Sequence, residues 1–542
     1  MPTNRVHAWS KRATALILAG AVAASSAMGS FAPAAYAALG QGSVTITSAQ
    51  GAQTEYDVYR FFKAEVSNEN KASHVDWALT PEQRTKLIEE FLGQDYVDWL
   101  TGKKMDEDAG TLAQNALEYI SANIAASTGK TGEDPKWVDA NTFAMNLATW
   151  AKENLTPAAE KATAGQAYTA EEGYYLFLTD PNTLGTSALA TLPIWLPLGG
   201  STTTVEEKTA SVSVTKQVKE GASWKAYADA EIGEAVQFRI QAKVPANYNG
   251  FDAFKVAFAD AMPAGMTLDK GSVKVFVGNE SGDDVTGSFT NVSTEQNLSM
   301  SCENTKNIAQ IAPDSTITVT YTASLNANAT TGNAGAVAGN ASATTFTYSS
   351  DPQVAATVGT ATSELVELYT YQASLDKMDK VTNVPLAGAE FVIKNNAGSY
   401  LSADGTWTAN DKTAQVFTTD DQGAISGIKG LDAGTYAIVE TKAPEGYSLP
   451  ANTSISLKVT PTYGTDGRLT GLTCETTSDF ASPDGTNPAD PASGMVNLDV
   501  KNDKQFALAV TGAAGVGMGG AVVLAIGLGW YVARAHRKNA EQ

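Results

Sequence analysis

Apolar residues alternate with polar ones through most of this chain, and a helical rhythm replaces the alternation only in one early stretch. A period of two marks half-buried β-strands, whose successive side chains point to opposite faces. Ser43-Val44-Thr45-Ile46, Tyr56-Asp57-Val58-Tyr59, Gly173-Tyr174-Tyr175-Leu176-Phe177-Leu178 and Thr191-Leu192-Pro193-Ile194-Trp195-Leu196 read as strands. Between them, Pro81 to Leu92, Thr111 to Ala126 and Asn141 to Glu153 carry the helical pattern. Residues 38–203 are therefore expected to form a mixed α+β domain, a β-sandwich with a helical insertion. From Thr204 onward Thr, Val, Ala, Gly and Asn dominate, and turns such as Asp260–Gly265 and Ser349–Pro352 separate short alternating runs. That pattern predicts an all-β sandwich over 204–356 and another over 357–507. The Ala/Gly/Asn-rich stretch from Asn326 to Asn340 reads as a long loop entering a final strand. The expected fold is thus mainly β, with tandem immunoglobulin-like sandwiches.

The two ends carry export signals. Arg5, Lys11 and Arg12 precede an apolar stretch from Ala13 to Ala24, and Ala35-Tyr36-Ala37 supplies an A-x-A cleavage site. Residues 1–37 read as a secretory signal peptide, because the apolar stretch is short for a membrane anchor. At the other end, Leu508-Ala509-Val510-Thr511-Gly512 is followed by an apolar run from Ala513 to Ala533 and then by Arg534, His536, Arg537 and Lys538. Residues 508–542 form a membrane stop signal, with the basic tail held in the cytoplasm and the bulk of the chain outside.

Charge and composition narrow the function classes. The formal net charge is −21. The signal peptide contributes three positive charges and the segment after Thr511 a net two, so the cut chain carries about −26. Such a surface repels nucleic acid and anionic lipid. The two cysteines, Cys302 and Cys474, fall in different predicted domains and read as small buried thiols. Gly515-Val516-Gly517-Met518-Gly519-Gly520 matches a dinucleotide-binding pattern formally, but it lies inside the apolar run with no βαβ unit around it. The three histidines, His7, His74 and His536, and the lack of a metal-ligand cluster or nucleophile elbow leave no basis for a surface enzyme, a metal or a cofactor.

Strand parity points to chemistry of another kind. Lys216 lies among Val212, Val214 and Val218; Asp260 shares a face with Val256 and Phe258; Asn340 shares parity with Phe346 and Tyr348. In the last domain Lys377 follows Ala373 and Leu375, Glu440 follows Tyr436 and Ile438, and Asn502 follows Val496, Leu498 and Val500. Lys219 and Lys380 have the opposite parity and should be solvated. A single such residue is explained by a strand end or a buried ion pair. Two full Lys/acid/Asn sets permit more. Burial lowers a lysine pKa and raises that of a carboxyl, giving a neutral amine nucleophile and an acid that can donate a hydrogen bond to the Asn amide oxygen. Attack would expel ammonia and leave a Lys–Asn isopeptide bond.

At these residues the chain resembles the Gram-positive sortase-assembled pilins. Leu386-Ala387-Gly388-Ala389-Glu390-Phe391, the stretch Gly434–Tyr447 and Val500-Lys501-Asn502 look like the collagen-adhesin B-type domain; the middle stretch matches the pilin E-box, Y-x-L-x-E-T-x-A-P-x-G-Y, with Ile438 for the Leu. The resemblance assigns a Lys377–Asn502 crosslink promoted by Glu440. Val214-Thr215-Lys216, Ile232-Gly233-Glu234, Asp260–Gly265 and Gly339-Asn340 look like the isopeptide-forming second domain of pilin backbone subunits, which implies a Lys216–Asn340 crosslink promoted by Asp260. The family often has G-N-x-N there, and this chain has Ser342 at the second Asn. Leu508–Gly512 resembles the L-P-x-T-G sorting signal with Ala509 for Pro, cleaved by a sortase between Thr511 and Gly512. Val205-Glu206-Glu207-Lys208 stands where shaft pilins carry a V-Y-P-K-like motif, making Lys208 the candidate polymerising nucleophile. The resemblance implies a cell-wall-anchored, extracellular pilus subunit that is not a turnover enzyme. Its expected partners are a sortase, other copies of itself, ancillary pilins and peptidoglycan. The alternative is a wall-anchored adhesin or ancillary (tip or base) pilin that binds a host or partner ligand through its N-terminal domain.

Overall fold

The computed structural model describes residues 39–505 apart from 48–53, 104–108, 126–139, 185–188, 207–211, 246, 334–338 and 353–356. The signal peptide, Lys208, Leu508–Gly512 and the apolar run that follows lie outside the described residues. Among the described residues no helix is long and apolar enough to cross a membrane. The chain is mainly β, in three successive regions with separate cores.

The first region is built on the strand Glu55–Val66. It lies between Ala72–Trp77 and Gly173–Thr179, with Ile194–Leu198 beyond. Tyr56 and Val58 face a small sheet formed by Gln41–Thr47, Ala167–Glu171 and Thr203–Glu206. Tyr59 and Phe61 face the helices instead. A register shift between Arg60 and Phe62 then lets Phe62, Ala64 and Val66 continue on the helical side. The helices begin at a capping box, with Thr80 and Gln83 satisfying each other's backbone N–H groups and Pro81 in the first turn. The expected helix over 81–92 is present, but its second half is a π turn, Leu87–Leu92, that buries Leu87 and Leu92 five residues apart. A further helix, Gly93–Lys103, follows directly, and Ala109–Ala125 and Ala140–Asn154 complete the insertion.

The middle region is a two-sheet sandwich. One sheet has Val214–Glu220 and Thr316–Leu325 on either side of Val236–Lys243, with Met266–Val277 beyond. The facing sheet centres on Val256–Ala261 between Asn297–Cys302 and Thr344–Ser349. Inward residues such as Phe238, Ile240 and Tyr321 meet Phe258, Met300 and Phe346 in one apolar core. The last region repeats the plan. Tyr371–Asp379 lies between Ala424–Leu431 and Met495–Asn502, opposite a sheet holding Glu390–Lys394, Gly434–Lys442 and Ser454–Tyr463.

Two domain edges fall later than the hydropathy pattern places them. Thr203–Glu206 pairs in parallel with Gln41–Thr47 and so belongs with the first region, not with the sandwich expected from 204. Val358–Thr362 pairs with Thr344–Ser349, and Ala361, Val366 and Leu368 pack in the middle core; the core of the last region starts at Tyr369, not at 357. The inward parity changes at the join, from Val366 and Leu368 to Tyr369, Tyr371 and Ala373, which is where one core gives way to the next. The join itself is polar. Asp229 accepts hydrogen bonds from Tyr371 (2.5 Å) and Tyr463, and Glu231 accepts one from Tyr436 at 3.1 Å. Cys302 and Cys474 are free and buried in different cores.

Candidate functional site: buried lysine–acid clusters

The last region brings its three predicted residues together. Lys377 and Asn502 come from the first and last strands of this region, neighbours in one sheet and parallel, with Asp379 opposite Asn502. Glu440 projects from the facing sheet. Lys377 and Glu440 are each 1 % exposed and Asn502 2 %, so water has no access to the cluster. Lys377 Nζ donates to Asn502 Oδ1 at 2.5 Å and to Glu440 Oε2 at 3.3 Å, and Asn502 Nδ2 donates to Glu440 Oε1 at 2.7 Å. The carboxyl therefore addresses the amine with one oxygen and the amide nitrogen with the other. The sequence reading expects the acid to donate to the amide oxygen. Here that oxygen is turned to the lysine instead, because an ion-paired carboxylate accepts from Nδ2.

The backbone around the cluster explains the motif residues. Lys377 N donates to Gly423 O (2.7 Å), and Leu386 N donates to Lys377 O (2.9 Å), which fixes the strand on both sides. Gly423 sits at φ +75°, and a Cβ there would lie 2.5 Å from Lys377 O, so only glycine fits. The turn that ends the E-box-like stretch clamps the strands that carry Lys377 and Asn502. Tyr447 donates to Asp379 at 2.9 Å, two residues past Lys377. Gln505 N donates to Gly446 O at 2.9 Å, and Ser448 N donates to Asp503 O at 3.2 Å, just past Asn502.

Burial sets the protonation. It pushes the Lys377 ammonium down to about 8, against the opposing pull of Glu440. Burial also raises Glu440, opposed by Lys377 and by the hydrogen bond from Asn502. Both shifts favour passing the proton from lysine to carboxyl, which would leave a neutral amine in contact with an amide. That arrangement can carry out acyl transfer from nitrogen to nitrogen.

The middle region assembles only part of its predicted set. Lys216 Nζ lies 2.6 Å from Asp260 Oδ2, both side chains fully buried, and burial lowers the lysine pKa against the opposing pull of Asp260. Tyr321 and Thr344 donate to the same Asp260 oxygen at 2.9 and 3.1 Å. Asn340 does not join them. Its Oδ1 accepts from Thr330 N at 3.1 Å, and its Nδ2 donates to Thr330 O at 2.8 Å and Leu368 O at 3.1 Å. The Asn340 amide is spent on closing the loop that precedes its strand. The residue that meets Lys216 is Ser342, through both its hydroxyl and its carbonyl oxygen (3.2 Å for the latter). Residues 340 and 342 share parity and are both buried, so alternation alone did not separate them. Lys219 and Lys380 are exposed.

Among the described residues no group of three or more His, Cys, Asp and Glu side chains could hold a metal ion. The lysine clusters are the concentrated buried chemistry described here.

Comparison with known proteins agrees with this architecture. Residues 372–467 match the SpaA family, described as a prealbumin-like fold domain. A stretch of 87 residues, 16 % of this chain, is 37 % identical to the trypsin-resistant surface T6 protein of Streptococcus pyogenes serotype M6, and it spans 13 % of that protein. The solved T6 backbone pilin of the same serotype shares 17 % identity and a TM-score of 0.52, over 86 % of this chain and 99 % of that one. The full-length major pilin SpaD of Corynebacterium diphtheriae aligns at 13 % identity and TM-score 0.47 over 86 % and 98 % of the two chains. The chain thus carries a SpaA-type prealbumin-like domain and shares a mainly β fold with the T6 backbone pilin.

Proposed function

We propose that the chain is a structural subunit of a Gram-positive surface pilus, exported, sealed in its last domain by an isopeptide bond, and joined to other subunits and the cell wall by a sortase acting at Thr511. The observation that carries this reading is the water-excluded contact of Lys377, Glu440 and Asn502 within a SpaA-like domain. Glu440 takes the proton from Lys377 Nζ, the freed amine attacks Asn502 Cγ, and the carboxyl returns the proton to Nδ2. The Cγ–Nδ2 bond breaks, the Nζ–Cγ bond forms, and one ammonia leaves for each amide made. Nothing else is consumed, so the chain is its own single-use catalyst and no turnover enzyme.

The position of the bond suits a load-bearing polymer. Tension along the chain enters this domain near Tyr371 and leaves near Asn502. An amide between Lys377 and Asn502, 125 positions apart, would carry that tension directly between the two terminal strands and relieve the segment between them. The net charge of about −26 on the cut chain and two unpaired cysteines fit a secreted fibre that does not rely on disulfides.

Polymerisation is tested by co-expressing the chain with a pilus-type sortase and running the cell-wall fraction on a denaturing gel. A ladder of multiples that resists boiling, lost in Thr511→Ala and in Lys208→Ala, is expected. A single anchored band with the sortase active would overturn the backbone reading in favour of a wall-anchored adhesin. A ladder that survives Lys208→Ala would move the linking role to another lysine.

A further inference from the structure

The chain contains two versions of one device, and comparing them assigns a role to Ser342. In the last domain Glu440 uses both oxygens: Oε2 meets the lysine and Oε1 meets the amide nitrogen of Asn502. In the middle domain Asp260 uses one. Oδ2 meets Lys216, Tyr321 and Thr344, and Oδ1 is buried with no hydrogen-bond partner. A buried carboxyl oxygen left without a donor costs stability and calls for an explanation. The partner that Glu440 has, and Asp260 lacks, is an acceptor amide.

Ser342 stands where that amide would be. Its Oγ is in contact with Lys216 Nζ. Oγ of a serine and Cγ of an asparagine are both one bond from Cβ, so the serine oxygen marks the point a reacting carbon would occupy. Asn340 is two positions away, and its amide is engaged with Thr330 and Leu368.

We propose that the middle domain is a crosslinking site arrested by its acceptor: Lys216 and Asp260 are in place, Ser342 replaces the amide, the domain stays unlinked, and Ser342→Asn suffices to complete the bond. The proposal rests on the amide chemistry proposed for the last domain. The completed step would mirror it. Lys216 Nζ attacks the side-chain carbonyl carbon at position 342, Asp260 moves the proton from Nζ to the leaving nitrogen, and one ammonia departs. Until then the two sheets are joined at this point only by non-covalent contacts, the buried Lys216–Asp260 ion pair and the hydrogen bond from Tyr321 to Asp260. One subunit therefore combines a sealed last domain with a middle domain that can open and refold under load.

Peptide mapping by mass spectrometry of the full chain decides it. The wild type should give linear peptides containing Lys216, Asp260, Asn340 and Ser342, and Ser342→Asn should give a branched peptide joining Lys216 to position 342, with one further ammonia lost. Ser342→Asp should join the same two positions with loss of water. A wild-type branch from Lys216 to Asn340, or a Lys216–Asp260 branch with loss of water, would overturn the proposal. So would a folded Ser342→Asn and a folded Ser342→Asp that both stay linear. Loss of fold in both variants would also overturn it, since the site would then have no room for an acceptor. The Lys377–Asn502 link is read from its own peptide. Its absence would strike the proposed function separately, without being confused with the result at position 342.

Discussion

Glu440→Ala should unseal the last domain without removing either residue that the bond joins. The loop that the proposed bond would close runs from Lys377 to Asn502, 125 positions apart. Treating the amide as a cross-link on the unfolded chain, a loop of that length contributes about 5 kcal/mol. A domain of this size loses roughly 3–4 °C in Tm per kcal/mol, so the loss of the link alone lowers the transition by about 15–20 °C. Glu440→Ala also leaves the Lys377 amine buried without its acid, which adds to the loss. Lys377→Met separates the two effects, because it removes the nucleophile but leaves an apolar chain of similar length. Calorimetry on the exported chain should show the last-domain transition falling in both variants, further for Glu440→Ala, while intact mass rises by one ammonia beyond the substitution itself. A Glu440→Ala chain that still lacks one ammonia refutes the role given to the acid. A chain that regains the ammonia but melts with the wild type refutes the energetic reasoning.

Four further outcomes follow from the same geometry. In chain refolded from inclusion bodies, amide formation should be level near neutral pH and slow above about pH 8, where the Lys377–Glu440 pair loses its shared proton; intact mass against time at several pH values reads this. Asp260→Asn should leave the mass pattern at Lys216 unchanged yet destabilise the middle domain by about 3–5 kcal/mol in denaturant titration, because a buried lysine loses its counter-charge. Pulling single subunits from their ends should release the middle domain, residues 212–368, as one step of about 50 nm, and no step of the last domain's full length should appear. At the join, burial together with the nearby Asp229 lifts the Asp432 carboxyl to about 8, with Glu234 and Glu220 adding to the effect. The folded form then holds a proton that the unfolded chain releases, so stability falls as pH rises from about 4 to 8, and Asp432→Asn should flatten that part of a stability-against-pH curve.

Much of the fold was legible because alternation is a strong signal. Lys216, Asp260, Lys377, Glu440 and Asn502 all point inward, as their parity requires. Four features were hidden for physical reasons. Parity repeats every two residues, so Asn340 and Ser342 were equivalent until hydrogen bonds showed that one closes a loop and the other meets the lysine. The two late domain edges arise because one strand can serve two cores, as Val366–Tyr369 does with all four residues buried, and a run of buried residues does not say which core each one enters. The tyrosine–carboxylate contacts at the join, Tyr371 and Tyr463 on Asp229, connect residues 142 and 234 positions apart and leave no local trace. The helix Gly93–Lys103 was missed although Tyr96, Trp99 and Leu100 have helical spacing, because Gly93 at φ +57° reads as a stop and here also opens the next helix.

A crystal structure of the exported chain at high resolution tests the central claim most directly. The account predicts continuous density between Lys377 Nζ and Asn502 Cγ at about 1.3 Å, the length of an amide C–N bond, with Lys216 and Ser342 separate. Lys377 and Asn502 standing apart at hydrogen-bond distance in fully folded protein would contradict it.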